Sequence, residues 1–208
     1  MALKDVDLKY QQGVLTTSKS LAVGGTLSVG GVDYTSVQPA DLGLKAWSYD
    51  PAAASNSQAV TSGIVYLSGI YVRKAMTVST LVYAQMTAGT SPTAGANWIG
   101  LYNSAGTKLA DAALDSVLTS VGIKQVAISS QSLTPGLYWV ALVQNATSPQ
   151  FACTSGSGTG QGFVSLGLTS GATSRYAANG TGATTLASTI TPASNTTTNA
   201  KYFWSALN

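Results

Sequence analysis

The sequence contains no histidine and no glutamate, and only 8% of its 208 residues are charged. Without histidine the chain lacks the commonest general base, and aspartate is its only acidic side chain. A typical soluble domain is about 25% charged. We therefore expect hydroxyl-rich surfaces or a permanent partner to keep this chain in solution. These absences argue against an enzyme, and we predict no catalytic residue and no cofactor.

Cysteine is almost as scarce, since Cys153 is the only one. An intramolecular disulfide is therefore impossible, and a zinc site of Cys and His ligands is excluded. The clustered aspartates of a calcium-binding loop are also missing. Asp111 and Asp115 are four residues apart, but nothing else marks a cleft around them. We predict no metal site, and we interpret Cys153 as a small buried hydrophobic residue.

Long hydrophobic runs are absent as well. The densest run, residues 137–143, is far shorter than the roughly 18 residues of a membrane span, so no membrane insertion is expected. Residues 1–7 lack the apolar core of a signal peptide, which predicts synthesis in a cytoplasm without export by the usual route. Ten basic residues face seven acidic ones, and the only adjacent basic pair is Arg73-Lys74. This sparse charge argues against nucleic-acid binding.

The residues that are present favour strands and turns. Ala, Gly, Ser and Thr make up about half of the chain, and short segments rich in Val, Ile, Tyr and Leu are separated by turns that contain Gly or Pro. These segments predict strands at residues 64–73, 76–86, 98–103, 108–110, 121–128, 136–144, 163–168 and 201–207. Many short strands without a long helix predict an all-β fold, a jelly-roll-like antiparallel β-sandwich.

One of these strands has an unusual pattern. Residues 136–144 are apolar on both faces, whereas a strand with one solvated face alternates between apolar and polar residues. We therefore predict a central strand whose second face lies against another sheet or another subunit.

A short repeat near the N-terminus predicts an oligomeric stem. The pattern L-x-V-G-G-x occurs twice in residues 21–32, and Leu and Val two positions apart lie on the same side of a strand. One such unit cannot bury its apolar side alone, so neighbouring copies are expected to cover it. The candidate stem residues are Leu21, Val23, Leu27 and Val29. An ordinary hairpin within one chain is the alternative interpretation.

The domain organisation follows from this repeat. We place an N-terminal attachment arm and short β stem at residues 1–38, and a display domain with the sandwich fold at residues 39–208. The mixed-charge start of the chain fits either an arm that orders on a partner or a frayed terminus.

Two further features concern binding. Residues 169–199 are mostly Ser, Thr, Ala, Gly and Asn, and such a long stretch is expected to be disordered, held by a neighbour, or the interacting surface. Trp98 and Tyr102 share a strand face beside a predicted hairpin, so they are the candidate glycan contact, because aromatic rings stack on sugars. Core packing is the alternative for aromatic residues, and it is favoured for Trp139 and Trp204, which lie in dense apolar segments.

Several segments together resemble the β-sandwich domains of phage virion proteins, especially minor tail proteins and head fibres of phages that infect actinobacteria. They are GIVYLSGIYV at residues 63–72 with MTV at 76–78, TAG at 87–89 with ANWIGLY at 96–102 and SAGT at 104–107, and LTPGLYWVAL at 133–142. The resemblance covers roughly residues 58–168. It implies a particle-attached, often trimeric module, and it transfers no site residue.

The sequence thus leads to a functional hypothesis with one alternative. We expect a non-enzymatic structural component of a phage virion, a trimeric fibre or capsid decoration protein that is anchored by its N-terminus and located in the virion after assembly in the host cytoplasm. Its expected partners are copies of itself and phage capsid or tail proteins, with a host-surface glycan as a further candidate. The alternative is a minor tail protein that acts as a carbohydrate-binding or receptor-binding module.

Overall fold

The structure, a computed structural model, describes residues 8–11, 14–17, 28–29, 32–33, 37–154, 171–197 and 200–208. The chain divides into two compact units, Met1–Val37 and Gln38–Asn208.

The described part of the first unit consists of two antiparallel pairs of short strands. They are β1 (Leu8–Gln11) with β2 (Val14–Thr17), and β3 (Ser28–Val29) with β4 (Val32–Asp33). The second copy of the L-x-V-G-G repeat therefore contributes to a hairpin in which Val29 is opposite Val32 of the same chain. Leu21, Val23 and Leu27 lie outside the described residues. Association of stem residues between copies stays a prediction.

The second unit is built almost entirely from strands, with a few short 3-10 helices between them. The strands are β5 (Ala46–Trp47), β6 (Asn56–Ala59), β7 (Tyr66–Val72), β8 (Met76–Thr87), β9 (Trp98–Asn103), β10 (Lys108–Ala113), β11 (Gly122–Leu133), β12 (Gly136–Val143), β13 (Gln150–Cys153), β14 (Tyr176–Ala178) and β15 (Ser205–Leu207). The 3-10 helices are Pro39–Leu42, Pro51–Ala53, Gly171–Thr173 and Pro192–Ser194.

These strands form two antiparallel sheets that pack against each other, so the predicted all-β sandwich is confirmed. One sheet has the order β10-β9-β12-β7-β14. The other has the order β5-β15-β8-β13-β6, and β11 pairs with β8 in addition. The loop between β7 and β8 crosses from one sheet to the other, and β5 and β14 are edge strands of their respective sheets.

The sequence located most of the strands. The strand predicted at residues 98–103 matches β9, and those predicted at 64–73, 76–86 and 136–144 overlap β7, β8 and β12 almost completely. The prediction at 108–110 was too short, because β10 continues to Ala113. The strand predicted at 163–168 lies outside the described residues. Short strands such as β6 and β14 were missed because they have no alternation long enough to detect.

The main core lies between the two sheets. Tyr138, Val140 and Leu142 of β12 face this core, where they join buried residues of the opposite sheet such as Leu81 and Phe151. Burial of one such aliphatic side chain stabilises the fold by about 1.5–3 kcal/mol. The sandwich is therefore held together mainly by apolar contacts, as expected for a chain with so few charges.

A second apolar cluster lies on the opposite face of the same sheet. Trp139, Ala141 and Val143 of β12 belong to it, and Trp139 is fully buried. The cover over this face comes from the same chain, from Leu186 together with the partly buried Ala183 and Ile190. The strand was correctly predicted to be central, but its predicted second partner was wrong. Here that partner is neither a sheet nor a subunit but a coil segment.

We call residues 179–197 the cover segment. Its backbone is bonded to the sheet and the neighbouring loops at several points. The amide N–H of Asn179 donates to the carbonyl of Val65 at 2.9 Å, that of Ala183 to Gly63 at 2.8 Å, and that of Ile190 to Gly106 at 2.8 Å. The Lys108 amide donates to the carbonyl of Ser188 at 2.9 Å. The low-complexity stretch is thus an ordered layer of the sandwich in its described part.

Glycine on β9 allows this layer to approach the sheet closely. A Cβ atom at Gly100 would lie 2.7 Å from Cδ1 of Leu186, a distance at which one of the two groups must move. The absence of a side chain at Gly100 therefore leaves the space that Leu186 fills.

The described part of the chain has no helix with the length and hydropathy of a membrane span.

The cover segment generates the first prediction. We expect Leu186→Ala to lower the free energy of unfolding by about 2–5 kcal/mol, because it removes a buried side chain and leaves a cavity over Gly100. Chemical denaturation monitored by circular dichroism measures this. The control is the exposed neighbour Thr185, for which Thr185→Ala should change stability by less than about 0.5 kcal/mol. Equal effects of the two substitutions would contradict a stabilising role of the cover segment.

Candidate functional site

The candidate glycan contact of Trp98 and Tyr102 is largely covered in the structure. Tyr102 has no exposed surface, and its hydroxyl donates a hydrogen bond to the carbonyl oxygen of Ala187 at 2.6 Å. Burial, with a smaller contribution from Asp111, raises the pKa of Tyr102 to about 12. A sugar could therefore reach the Tyr102 ring only if the cover segment moved away.

Trp98 is half-buried and packs against the second apolar cluster. Its indole N–H donates to the carbonyl oxygen of Gly95 at 2.9 Å, which fixes the ring. A glycan contact through Trp98 alone stays a prediction.

The two aspartates in the same region have separate structural partners. Asp111 accepts a 2.5 Å ion-paired hydrogen bond from Lys108. Asp115 accepts from the backbone N–H of Gly95 at 2.7 Å and from the side-chain amide of Asn97 at 2.6 Å. Asp115 thus fixes the loop before β9. Within the described ranges, no three Asp, Glu, Cys or His side chains are grouped as metal ligands would be.

The features of a binding site occur together at a different position in the sandwich. It is a cleft of about 760 Å³, within the range of roughly 300–1,000 Å³ that is usual for ligand sites. We call it the basic cleft. Its described lining residues come from three parts of the second unit: the segment 38–49, the end of β7 with the following loop and the first residue of β8, and the residue before β14. They are Gln38, Pro39, Ala40, Lys45, Ala46, Trp47, Ser48, Tyr49, Tyr71, Arg73, Lys74, Met76 and Arg175.

Strands fix the positions of these residues. Trp47 lies on β5, which pairs with β15 through Ala206. Arg73 and Lys74 lie in the three-residue loop between β7 and β8, where the chain crosses between the sheets. The carbonyl of Arg175 accepts a 2.7 Å hydrogen bond from the backbone N–H of Gly69 in β7. The cleft therefore lies at the side of the sandwich where the edge strands β5 and β14 lie.

Aromatic side chains pack beneath this cleft. Tyr49 and Tyr202 have ring centroids 4.6 Å apart, and Tyr202 stacks on Tyr176 at 4.9 Å. The Tyr49 hydroxyl donates to the carbonyl of Tyr202 at 3.1 Å, and the Tyr202 hydroxyl donates to the carbonyl of Ser48 at 2.9 Å. Burial raises the pKa of both hydroxyls, so both are neutral at physiological pH and serve as hydrogen-bond donors.

Four of the ten basic residues of the chain line the basic cleft: Lys45, Arg73, Lys74 and Arg175. No acidic residue is among the described residues that line it. The Lys45 ammonium donates to the carbonyl of Thr77 at 2.8 Å, and the guanidinium carbon of Arg73 lies 5.4 Å from the centre of the Tyr71 ring. The guanidinium carbon of Arg175 lies 5.5 Å from the centre of the Tyr202 ring. The cleft is thus both positively charged and aromatic.

Sequence reasoning did not find this cleft, although part of its signal was visible. Arg73-Lys74 was recognised as the only adjacent basic pair. Lys45 and Arg175 are 130 positions apart in the sequence, and only the antiparallel pairing of β14 with β7 brings Arg175 to the basic cleft. Trp47 gave no signal either, because β5 has only two residues.

Comparison with models of known protein families gave no match, and neither did a search among curated proteins.

Cys153, at the end of β13, generates the second prediction. The residue is 1% exposed, and burial raises the pKa of its thiol to about 12. Since the thiolate is the reactive form, we expect almost no reaction of the native protein with a maleimide at pH 8. Complete labelling is expected after denaturation in guanidinium chloride. Mass spectrometry of both samples measures the difference, and rapid stoichiometric labelling of the native protein would contradict the buried position.

Proposed function

We propose that this chain is a non-enzymatic structural component of a phage virion, a trimeric fibre or decoration protein in which the N-terminal unit attaches and the sandwich is displayed. The observation that carries the proposal is the cover segment. Because Leu186, Ala183 and Ile190 cover the outer face of the sheet that contains β12, the sandwich needs no neighbour to bury the apolar residues of that face. Such a module suits display away from the body of a particle.

The N-terminal unit supports the attachment role. It is a separate compact unit that ends at Val37, and its described strands are only two to four residues long. Isolated hairpins of this length are marginally stable in water. Association with other copies or with a particle protein would stabilise such short strands.

The oligomeric state generates the third prediction. We expect light scattering of the full chain at micromolar concentration to give three times the 21.1 kDa chain mass. Val29→Asp should shift this mass towards the monomer, because a charge on the apolar side of the stem cannot be buried unpaired. The matched control is Ser28→Asp, since neighbouring residues of a strand point to opposite sides.

A monomeric wild-type protein, or equal effects of Val29→Asp and Ser28→Asp, would count against the stem. The presence of the chain on a virion is tested separately, by immunogold labelling of the virions of a phage that encodes it. Absence of label from intact particles would refute the virion assignment.

The alternative, a minor tail protein acting as a carbohydrate-binding or receptor-binding module, is favoured by one observation. The basic cleft places the exposed Tyr71 and the half-buried Trp47 beside four cationic residues, and aromatic faces bind sugar rings.

The fourth prediction concerns the residues that contact a glycan, and it is tested on a glycan array with the wild-type chain and the variants Trp98→Ala and Tyr71→Ala. If Trp98 forms the glycan contact, Trp98→Ala abolishes the wild-type signals. If the cleft does, Trp98→Ala leaves them unchanged and Tyr71→Ala weakens them. Silence of the wild-type chain on the whole array would leave display as its role and refute the binding alternative.

A further inference from the structure

We propose that the basic cleft binds a short saccharide that carries carboxylate or phosphate groups. The inference deepens the binding alternative proposed above by naming the class of its ligand, and it does not depend on the proposed role in assembly. Three observations carry it: the concentration of charge in the cleft, the fixed placement of the cationic groups, and the aromatic surface beside them.

The charge distribution is the first observation. The chain has few basic residues, yet four of them line one cleft in which no described carboxylate takes part. The described residues provide no ion-pair partner for Lys45, Arg73 or Lys74. Like charges brought together repel each other, and an anion bound among them would relieve this repulsion. The contrast is Lys108, whose charge is neutralised by Asp111.

Three of the four cationic residues are held in place, which is the second observation. Lys45 is fixed through Thr77, and Arg73 lies over the ring of Tyr71. The backbone of Arg175 is hydrogen-bonded to Gly69 of β7, and its guanidinium group lies over the ring of Tyr202. Groups that are already ordered lose less conformational entropy when a ligand binds. Lys74, by contrast, is an exposed side chain on the loop at the edge of the cleft.

The aromatic surface is the third observation, and it distinguishes a sugar from a simple anion. Trp47 is half-buried, and Tyr71 is 44% exposed. Met76 adds a further apolar contact. A small inorganic anion would use only the cations. A saccharide with acidic groups would use both kinds of surface, because the C–H faces of its rings pack on aromatic rings while its anionic groups pair with Lys and Arg.

The arrangement favours a saccharide over a nucleic acid. Single-stranded nucleic acids follow a positively charged groove along several nucleotides. Outside the cleft, the other basic residues of the described second unit are Lys108, Lys124 and Lys201. Lys108 is paired with Asp111, and Lys124 donates to Ser120 and to the carbonyl of Val121. Four of the seven basic residues of the described second unit therefore line one cleft, which suits a ligand of a few sugar units.

Isothermal titration calorimetry at low salt tests the proposal on the full chain. The probes are tetragalacturonate as the carboxylate source, glucose 6-phosphate as the phosphate source, maltotetraose as the neutral saccharide, and an eight-residue thymidylate. We expect saturable binding of at least one acidic saccharide and at least tenfold weaker binding of maltotetraose. Raising the salt concentration to 0.5 M should lower the affinity for the acidic saccharide, because salt screens the charges of exposed cationic side chains.

Substitutions assign the binding to the cleft. We expect Lys74→Gln to lower the affinity for the bound probe about 3–10-fold, because it removes a charge-assisted contact. Combining Arg73→Gln with Lys74→Gln should lower the affinity further. Lys124→Gln is the matched control, because it removes the same charge outside the cleft, and it should leave the affinity within about twofold. Tyr71→Ala should lower the affinity for the saccharide as well. Thermal unfolding of every variant verifies that the fold is retained.

Several results would overturn the proposal. One is the absence of saturable binding of either acidic saccharide at millimolar concentration, and another is an equal loss of affinity in Lys74→Gln and Lys124→Gln. A third is an affinity for maltotetraose equal to that for the acidic saccharides. Tighter binding of the thymidylate than of the acidic saccharides would indicate a nucleic acid as the ligand. Binding of tetragalacturonate alone would identify carboxylate as the recognised group, and binding of glucose 6-phosphate alone would identify phosphate. The described lining of the cleft belongs to residues 38–208 and the stem to residues 1–37, so either proposal can fail without the other.

Discussion

The constraint on which this structure depends is the double-sided burial of β12. A strand that is apolar on both faces is stable only if two layers cover it. The main core covers Tyr138, Val140 and Leu142, and the cover segment lies over Trp139 on the other side. The sandwich is therefore three layers thick at this point, with a coil of small polar residues as its third layer.

This third layer explains how a chain with so few charges can present a polar surface. The side of the cover segment that faces the sheet provides Leu186, while neighbours such as Thr185 and Ser188 are exposed. Hydroxyl groups hydrogen-bond to water without the mutual repulsion of like charges. The same layer buries Tyr102 and shifts the candidate binding surface away from β9. The exposed aromatic and cationic residues are concentrated instead at the cleft beside β5 and β14.

The proposed display and the proposed binding make different demands on the fold, and different parts of it would meet them. The cover segment buries the outer face of the sheet that contains β12 within one chain, which suits a displayed module. The basic cleft uses edge strands and the loop that crosses between the sheets, positions where side chains can be charged without disturbing the core. A virion protein that contacts a cell surface would combine both parts, and a purely structural one would use only the first.

The sequence by itself determined the fold class and most of the strands, because period-two alternation and turn residues are local signals that survive without tertiary context. It also determined that β12 is central, and that Cys153 is a small buried residue. Only the tertiary structure decided what covers β12, since a run of Ser, Thr, Gly and Ala has no periodicity from which its packing could be read. It alone also brought Lys45, Arg73 and Arg175 to one cleft, because their proximity arises from antiparallel pairing between distant segments. Local sequence encodes strands, whereas sites that join distant residues are set by how those strands pair.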